Sequence, residues 1–328
     1  MAQTKHFRAR AEAARVLLAV GLLMLILLAV EAGPAEATFP GNNGKIAWLQ
    51  SYPGHPGGTE IYTNGGFLGT SIRLTNNNIT EYDPSYSPDG TRIAYSAYDG
   101  KDMEIYTVRA EPPNVGSTQK ITWNDTWDGN PCYASDDGSK IAYAGFDGND
   151  MEIFTTRAGT RFNVTNNDTW DGFPTFSRFG PKIGFLGRDN GNDTEIYSIS
   201  PTGEDRQQWT NNVTWEGAPD YQPSGTRMLY AASDGHDHEI YMVHRPSLGK
   251  FYEPVQITDN PVNDLDPVWS PNSQEVAYAQ FHWPIFGETQ NWEIFTQGVW
   301  GGIFGTNVTL SEGTSDTEPA WQAIPRSP

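Results

Sequence analysis

The chain has 328 residues, with 21 basic against 40 acidic side chains, a formal net charge of −19 and a single cysteine. So acidic a protein repels nucleic-acid phosphates and anionic bilayers and attracts cations or basic partners. One thiol, Cys132, excludes an intrachain disulfide and any cysteine-based metal site.

In chain order, residues 1–37 read as an export signal. Lys5, Arg8, Arg10 and Arg15 form a basic leader, Val16 to Val30 is an uncharged apolar run, and Ala35-Glu36-Ala37 offers a small-x-small cleavage site. The run is short for a membrane span, which needs about 20 residues. The expectation is a cleaved signal, no integral membrane segment afterwards, and a periplasmic or extracellular, envelope-associated location.

Residues 38–328 are built on one unit repeated six times. Each copy opens on an apolar run: IAW from Ile46, IAY from Ile93, IAY from Ile141, IGF from Ile183, MLY from Met228 and VAY from Val276. A Glu-Ile-aromatic triplet follows, at Glu60, Glu104, Glu152, Glu195, Glu239 and Glu293. A proline-aromatic segment closes it: DPSY at Asp83, NPCY at Asn130, FPTF at Phe173, APDY at Ala218, DPVW at Asp266 and EPAW at Glu318. The openings recur every 42 to 48 residues, and a period in the forties made of short alternating runs and turns marks propeller blades. Within a unit, residues alternate with period two, and Ser87-Pro88-Asp89-Gly90 and Asp99-Gly100 supply tight-turn chemistry. The predicted fold is all-β: a six-bladed β-propeller of four-stranded antiparallel blades. Its C-terminal strand, Glu318 to Gln322, completes the blade begun at the N-terminus, which leaves no free sheet edge at the closure.

The grammar PSYSPDGTRIAYSA, EIYTV, LTNN resembles the WD40-like repeat of the propeller domain in TolB proteins, and the resemblance covers essentially the whole chain after the signal. It implies a binding or scaffold module of the cell envelope. The α/β domain that precedes the propeller in TolB has no counterpart in the few residues between Ala37 and Lys45.

In a four-stranded blade the loops joining strands two and three emerge on the same face as those linking successive blades. That face gathers Asp125, Trp127, Asp128, Asp168, Trp170, Asp171, Trp215, Glu216, Asp264 and Asp316, a set expected to dock an envelope or extracellular protein, or to stack on a glycan. The six-fold Glu reads as structural, accepting hydrogen bonds from a neighbouring loop. The D-G-x-D-x-E spacing makes Asp99, Asp102, Asp147 and Asp150 candidate Ca²⁺ ligands, with fewer oxygens than an EF-hand loop. A second contact surface is expected where the last and first units insert aromatic loops with His55, Trp283, Phe286 and Trp292. No catalytic residue is assigned, since no G-x-S-x-G elbow is present; the alternative is a carbohydrate-active enzyme, a glycoside hydrolase or lyase using loop-face carboxylates. Seven N-x-Thr triplets ride mostly on the turn at a blade's end, so repetition accounts for them. A monomer is expected.

Overall fold

The computed structural model describes residues 42–51, 58–64, 70–111, 115–134, 138–177, 182–188, 193–247, 250–282, 291–299, 305–309 and 314–324. The proposed signal and the segments carrying His55, Trp283 and Phe286 lie outside them. Every regular element among the described residues is a β-strand.

The chain opens with β1 (Asn42–Ser51), β2 (Thr59–Asn64) and β3 (Ser71–Arg73). Blade 2 is β4 (Glu81–Tyr86), β5 (Arg92–Tyr98), β6 (Met103–Arg109) and β7 (Thr118–Lys120). Blade 3 is β8 (Asp128–Tyr133), β9 (Lys140–Phe146), β10 (Met151–Arg157) and β11 (Thr160–Asn163). Blade 4 is β12 (Asp171–Phe176), β13 (Ile183–Arg188), β14 (Thr194–Ile199) and β15 (Gln207–Gln208). Blade 5 is β16 (Glu216–Tyr221), β17 (Arg227–Ser233), β18 (His238–His244) and β19 (Val255–Gln256). Blade 6 is β20 (Asp264–Trp269), β21 (Glu275–His282), β22 (Asn291–Gly298) and β23 (Thr306–Asn307). Finally β24 (Ser315–Ile324) returns to β1, giving blade 1 the order β24-β1-β2-β3. All six sheets have four strands and antiparallel pairing.

The period-two alternation has a direct packing consequence. Apolar side chains on the two faces of each sheet enter different interblade cores. Ile93 and Tyr95 pack against Leu49 and Ile61 of blade 1, while Ala94 and Ile105 pack against Tyr133 and Tyr143 of blade 3. The series closes where Ile46, Trp48 and Tyr62 of blade 1 meet Ala277, Ala279 and Ile294 of blade 6. Aromatics of the second and third strands are cross-strand partners and stack in every blade, as Tyr95 does on Tyr106 with centroids 5.7 Å apart.

The innermost strand of each blade carries a bulge. Asp83, Asn130, Phe173, Ala218, Asp266 and Glu318, each immediately before the proline, take φ between 43° and 53°. Strand register slips across this residue, for example between Tyr82 and Ser85. The proline explains the location: it has no N–H to give to a ladder, so it fits only an edge strand or a bulge, and the innermost strand is both.

Closure is stitched on both flanks of blade 1. β24 pairs with β1 from Asn42↔Ile324 to Ser51↔Ser315. The Gln322 side chain accepts from the Lys45 N–H at 3.0 Å and donates to the Gly90 carbonyl of blade 2 at 2.8 Å. On the other flank Asn43 donates to Glu275 of blade 6 at 2.6 Å. Removing residues 315–328 should abolish the cooperative thermal transition or drive aggregation on size-exclusion chromatography; a truncated protein that melts like the intact one would contradict the closed ring.

Candidate functional site

Among the described residues, five joints between blades are made by one recurring set of polar residues. Asn124, in the loop from blade 2 to blade 3, donates its backbone N–H to Glu104 of β6 at 3.0 Å and its side-chain amide to Asp128 of β8 at 2.6 Å. Asn77, Asn167, Asn212 and Asn260 bridge Glu60 to Glu81, Glu152 to Asp171, Glu195 to Glu216 and Glu239 to Asp264 in the same way. Two residues before the asparagine, a threonine hydroxyl accepts the isoleucine N–H of the Glu-Ile-aromatic triplet, as Thr122 does from Ile105 at 2.8 Å. The repeated Glu is therefore the acceptor that its repetition suggested.

This geometry revises half of the expected docking set. Asp128, Asp171, Asp264 and Asp316 have no exposed surface and Glu216 is 3% exposed, because each stands at the start of an innermost strand, Asp316 one residue in and the others first, and turns into the joint. They hold the blades together and do not present carboxylates to a partner. Burial pushes Asp128 up to about 6, with Asn124 and the Arg161 guanidinium opposing it. Asp171 also rises to about 6 by burial, against Arg206 and Asn167.

How each inner acid is met depends on the residue beside it in the second strand. Gly145 lies opposite Asp128 and Gly187 opposite Asp171. A Cβ at either glycine would sit within about 3 Å of both the aspartate and an arginine, Arg161 or Arg206; the missing side chain is what admits the guanidinium. Gln280 and Gln50 occupy the equivalent place in blades 6 and 1 and donate to Asp264 and Asp316, each at 2.9 Å. In blades 2 and 5 the position is alanine, Ala97 opposite Glu81 and Ala232 opposite Glu216.

The remaining docking candidates do face solvent. The Asp125 side chain is 90% exposed, and Asp168 is exposed too. Trp215 is 59% and Trp127 38% exposed, joined by Trp123 at 77%, Val213 at 91% and Tyr98 at 46%. Trp170 is half-buried against Phe173. The indoles of Trp127 and Trp170 lie over Gly129 and Gly172, where any Cβ would collide with the ring. Lys101 of the blade 2 hairpin reaches Asp125 of the joint loop at 3.7 Å, so the two loop sets do share a face. Trp123 was missed in the sequence because its blade-to-blade equivalents, Asn166 and Asn211, are not aromatic.

The two acidic hairpins differ. Carboxylate oxygens of Asp99, Asp102 and Glu104, and those of Asp147, Asp150 and Glu152, lie within 4.8 Å of one another. In blade 2 the Lys120 ammonium sits among them, 2.7 Å from Asp99 and 3.0 Å from Glu104, and holds Asp99 down to about 2. In blade 3 the equivalent position is Asn163, leaving three carboxylates, of which Glu152 already accepts from Thr165 and Asn167, against the six to eight oxygens that Ca²⁺ takes. Of the aromatic-loop set only Trp292 is described; it packs edge-on against Phe281 with centroids 5.3 Å apart.

Behind the face lies the axial channel, where the proline-aromatic segments of all six blades line a cavity of about 200 Å³. Its wall is asymmetric. Asp266, Glu318 and Asp83 follow one another on one arc, whereas Phe173 and Ala218 stand on the other. Glu318 accepts the Asp83 N–H, and Asp83 accepts the Asn130 N–H at 3.3 Å. Burial raises all three acids, Asp266 to about 6 with the Asp83 charge adding to the effect.

No protein-family model matches the chain, and no curated protein sequence matches it. Solved structures match in fold. TolB from Acinetobacter baumannii superposes with a TM-score of 0.67 at 19% identity, over 85% of this chain and 66% of that one. Kuenenia stuttgartiensis hydrazine synthase gives 0.69 at 12% identity, over 90% and 50%. An oligogalacturonate lyase in complex with manganese gives 0.51 at 10% identity, over 81% and 74%. The chain thus spans just under two thirds of the TolB chain's length and half of the synthase's. The shared property is the fold, a TolB-like six-bladed β-propeller.

The joint chemistry predicts a contrast between two lysines. Lys120, whose side chain is 12% exposed, neutralises the buried Glu104, so Lys120→Met should cost about 3 kcal/mol in urea unfolding. Lys101→Met, at a side chain 77% exposed, should stay within about 0.5 kcal/mol of the parent.

Proposed function

We propose that this chain is an exported, non-catalytic binding and scaffold propeller that docks a basic segment of an envelope or extracellular protein on its acidic, aromatic loop face. One observation carries the reading: Trp123 and Trp215 stand 77% and 59% exposed in joint loops, Trp123 two residues from the exposed Asp125. Large exposed aromatics set in a rigid frame are what protein contacts use, since they bury much area at little cost in side-chain entropy. The surrounding Asp125 and Asp168 would steer a cationic partner and fix its orientation. The basic and apolar leader supports export, and the TolB-like fold is compatible with an envelope scaffold.

A glycan-cleaving enzyme is the second reading. It draws on the lyase of similar fold and on the three acids of the axial channel. Release of reducing sugar from an envelope or plant-type polysaccharide, lost in Asp266→Asn, would favour it.

The test of the first reading uses affinity capture from an envelope extract by the immobilised full chain. Asp125→Lys combined with Asp168→Lys should weaken retention of the captured partner by roughly tenfold at low salt, and Trp123→Ala with Trp215→Ala should weaken it at any salt. Asp205→Lys, at a side chain 84% exposed in a turn between third and fourth strands, serves as the control. Equal capture by all four proteins would remove the loop face from consideration. Reversing Asp128 or Asp171 tests folding instead, because both are buried.

A further inference from the structure

We propose that Glu81 and Glu216 each hold a proton at neutral pH, so that the ring is tightened by acid and loosened by base at the two joints they build. These are the joints whose second-strand neighbour is alanine, Ala97 and Ala232, where other blades supply an arginine or a glutamine amide to the inner acid. They are also the two described joints whose inner acid is glutamate in place of aspartate.

The surroundings of each are specific. Glu81 has no exposed surface and faces Glu60 across Asn77, and the Oε2 atoms of both glutamates are buried without a hydrogen-bond partner. Arg73, whose charge reaches Glu81, is committed to Glu60 at 2.7 Å. Tyr95 of β5 is the further titratable group against this pair, and Thr75 lies beside it. Glu216 faces Glu195 across Asn212, accepts from the Thr210 hydroxyl at 2.6 Å, and has Tyr230 of β17 as its titratable neighbour. The largest influences on Glu216 are burial, the Thr210 hydroxyl, the Glu195 charge and the Asn212 amide, none of them a cation. Two ionised carboxylates confined in this way repel, and at the Glu60/Glu81 joint they leave two acceptors unsatisfied. A proton on one of them removes the charge and, at that joint, supplies the missing donor.

Burial pushes Glu81 and Glu216 each up to about 8 from an ordinary 4.5, with the Glu60 and Glu195 charges adding to it. The unfolded chain therefore releases two protons that the fold retains. The stabilisation is complete below about pH 4.5, declines as pH rises, and is gone above about pH 8.

The test compares urea or thermal unfolding of the intact protein with Glu81→Gln and Glu216→Gln across about pH 5 to 9. Glutamine supplies permanently the donor that the proton supplies. Between about pH 5 and 8 the wild-type unfolding constant should rise about tenfold more per pH unit than that of either single variant, the difference levelling off above about pH 8, and each variant should be the more stable protein at about pH 9. Parallel profiles would overturn the proposal. Should either variant fail to fold, infrared spectroscopy of the wild type decides: a protonated-carboxyl carbonyl band at neutral pH that disappears on alkalisation supports the inference, and its absence at neutral pH sinks it.

Discussion

The arrangement on which this propeller depends is a pair of buried carboxyl groups from adjacent blades bridged by one asparagine. Hydrogen bonds within a sheet fix a blade but say nothing about its neighbour, and the apolar cores between blades are only weakly directional. The asparagine supplies direction. Its backbone N–H and side-chain amide point to acids on two different blades, as Asn167 does to Glu152 and Asp171. The same loop carries the exposed aromatic and carboxylate residues, so the joint that sets blade spacing also sets the geometry of the contact face. A partner would therefore meet Asp125 and Trp127 on a loop anchored at Asn124 and at Asp128.

Buried acids are costly unless neutralised, and three solutions coexist in one ring. Glycine in the second strand admits an arginine, glutamine supplies an amide, and alanine supplies nothing, so that the acid must carry its own proton. This mixture also changes the meaning of the net charge. Many of the 40 acidic residues are not on the surface at all but sit in the joints, with no exposed surface at Glu60, Glu81, Glu104, Asp128, Glu152 and Asp171. A field computed from composition overstates what a partner experiences, and the relevant acidity is that of a few loop residues such as Asp125 and Asp168.

Blade number, strand order and closure were legible in the sequence because each rests on repetition, and a six-fold pattern averages out local ambiguity. The division of Trp127-Asp128 was not. Adjacent residues entering a strand point to opposite sides, so one of the pair had to turn inward, and the aspartate did because an asparagine four residues earlier waits for it. That spacing recurs as Asn124/Asp128, Asn167/Asp171, Asn212/Glu216 and Asn260/Asp264; it is the signal that separates joint residues from surface ones, and it also accounts for several N-x-Thr triplets. The left-handed bulge was equally implicit, in a proline fixed at the same place in every innermost strand. Lys120 filling one acidic hairpin was not legible, since its side chain reaches Asp99 from a different strand 21 residues away.

The channel wall shows where a ring without a covalent seam needs most help. Blade 1 is assembled from the two ends of the domain, so β24 and β1 are joined by hydrogen bonds alone. The bulge residues with carboxylates belong to that blade and its two neighbours: Asp266 in blade 6, Glu318 in blade 1 and Asp83 in blade 2. Each accepts a backbone N–H from the next blade round the axis, from Glu318, Asp83 and Asn130 in turn. On the far side, where the chain runs continuously through whole blades, the same position is Phe173 or Ala218 and only packs. Each such bond ties one innermost strand to the next across a blade boundary, so their concentration at the seam supplies register that a covalent connection supplies elsewhere. The asymmetry of the channel is thus explained by closure before any ligand is invoked.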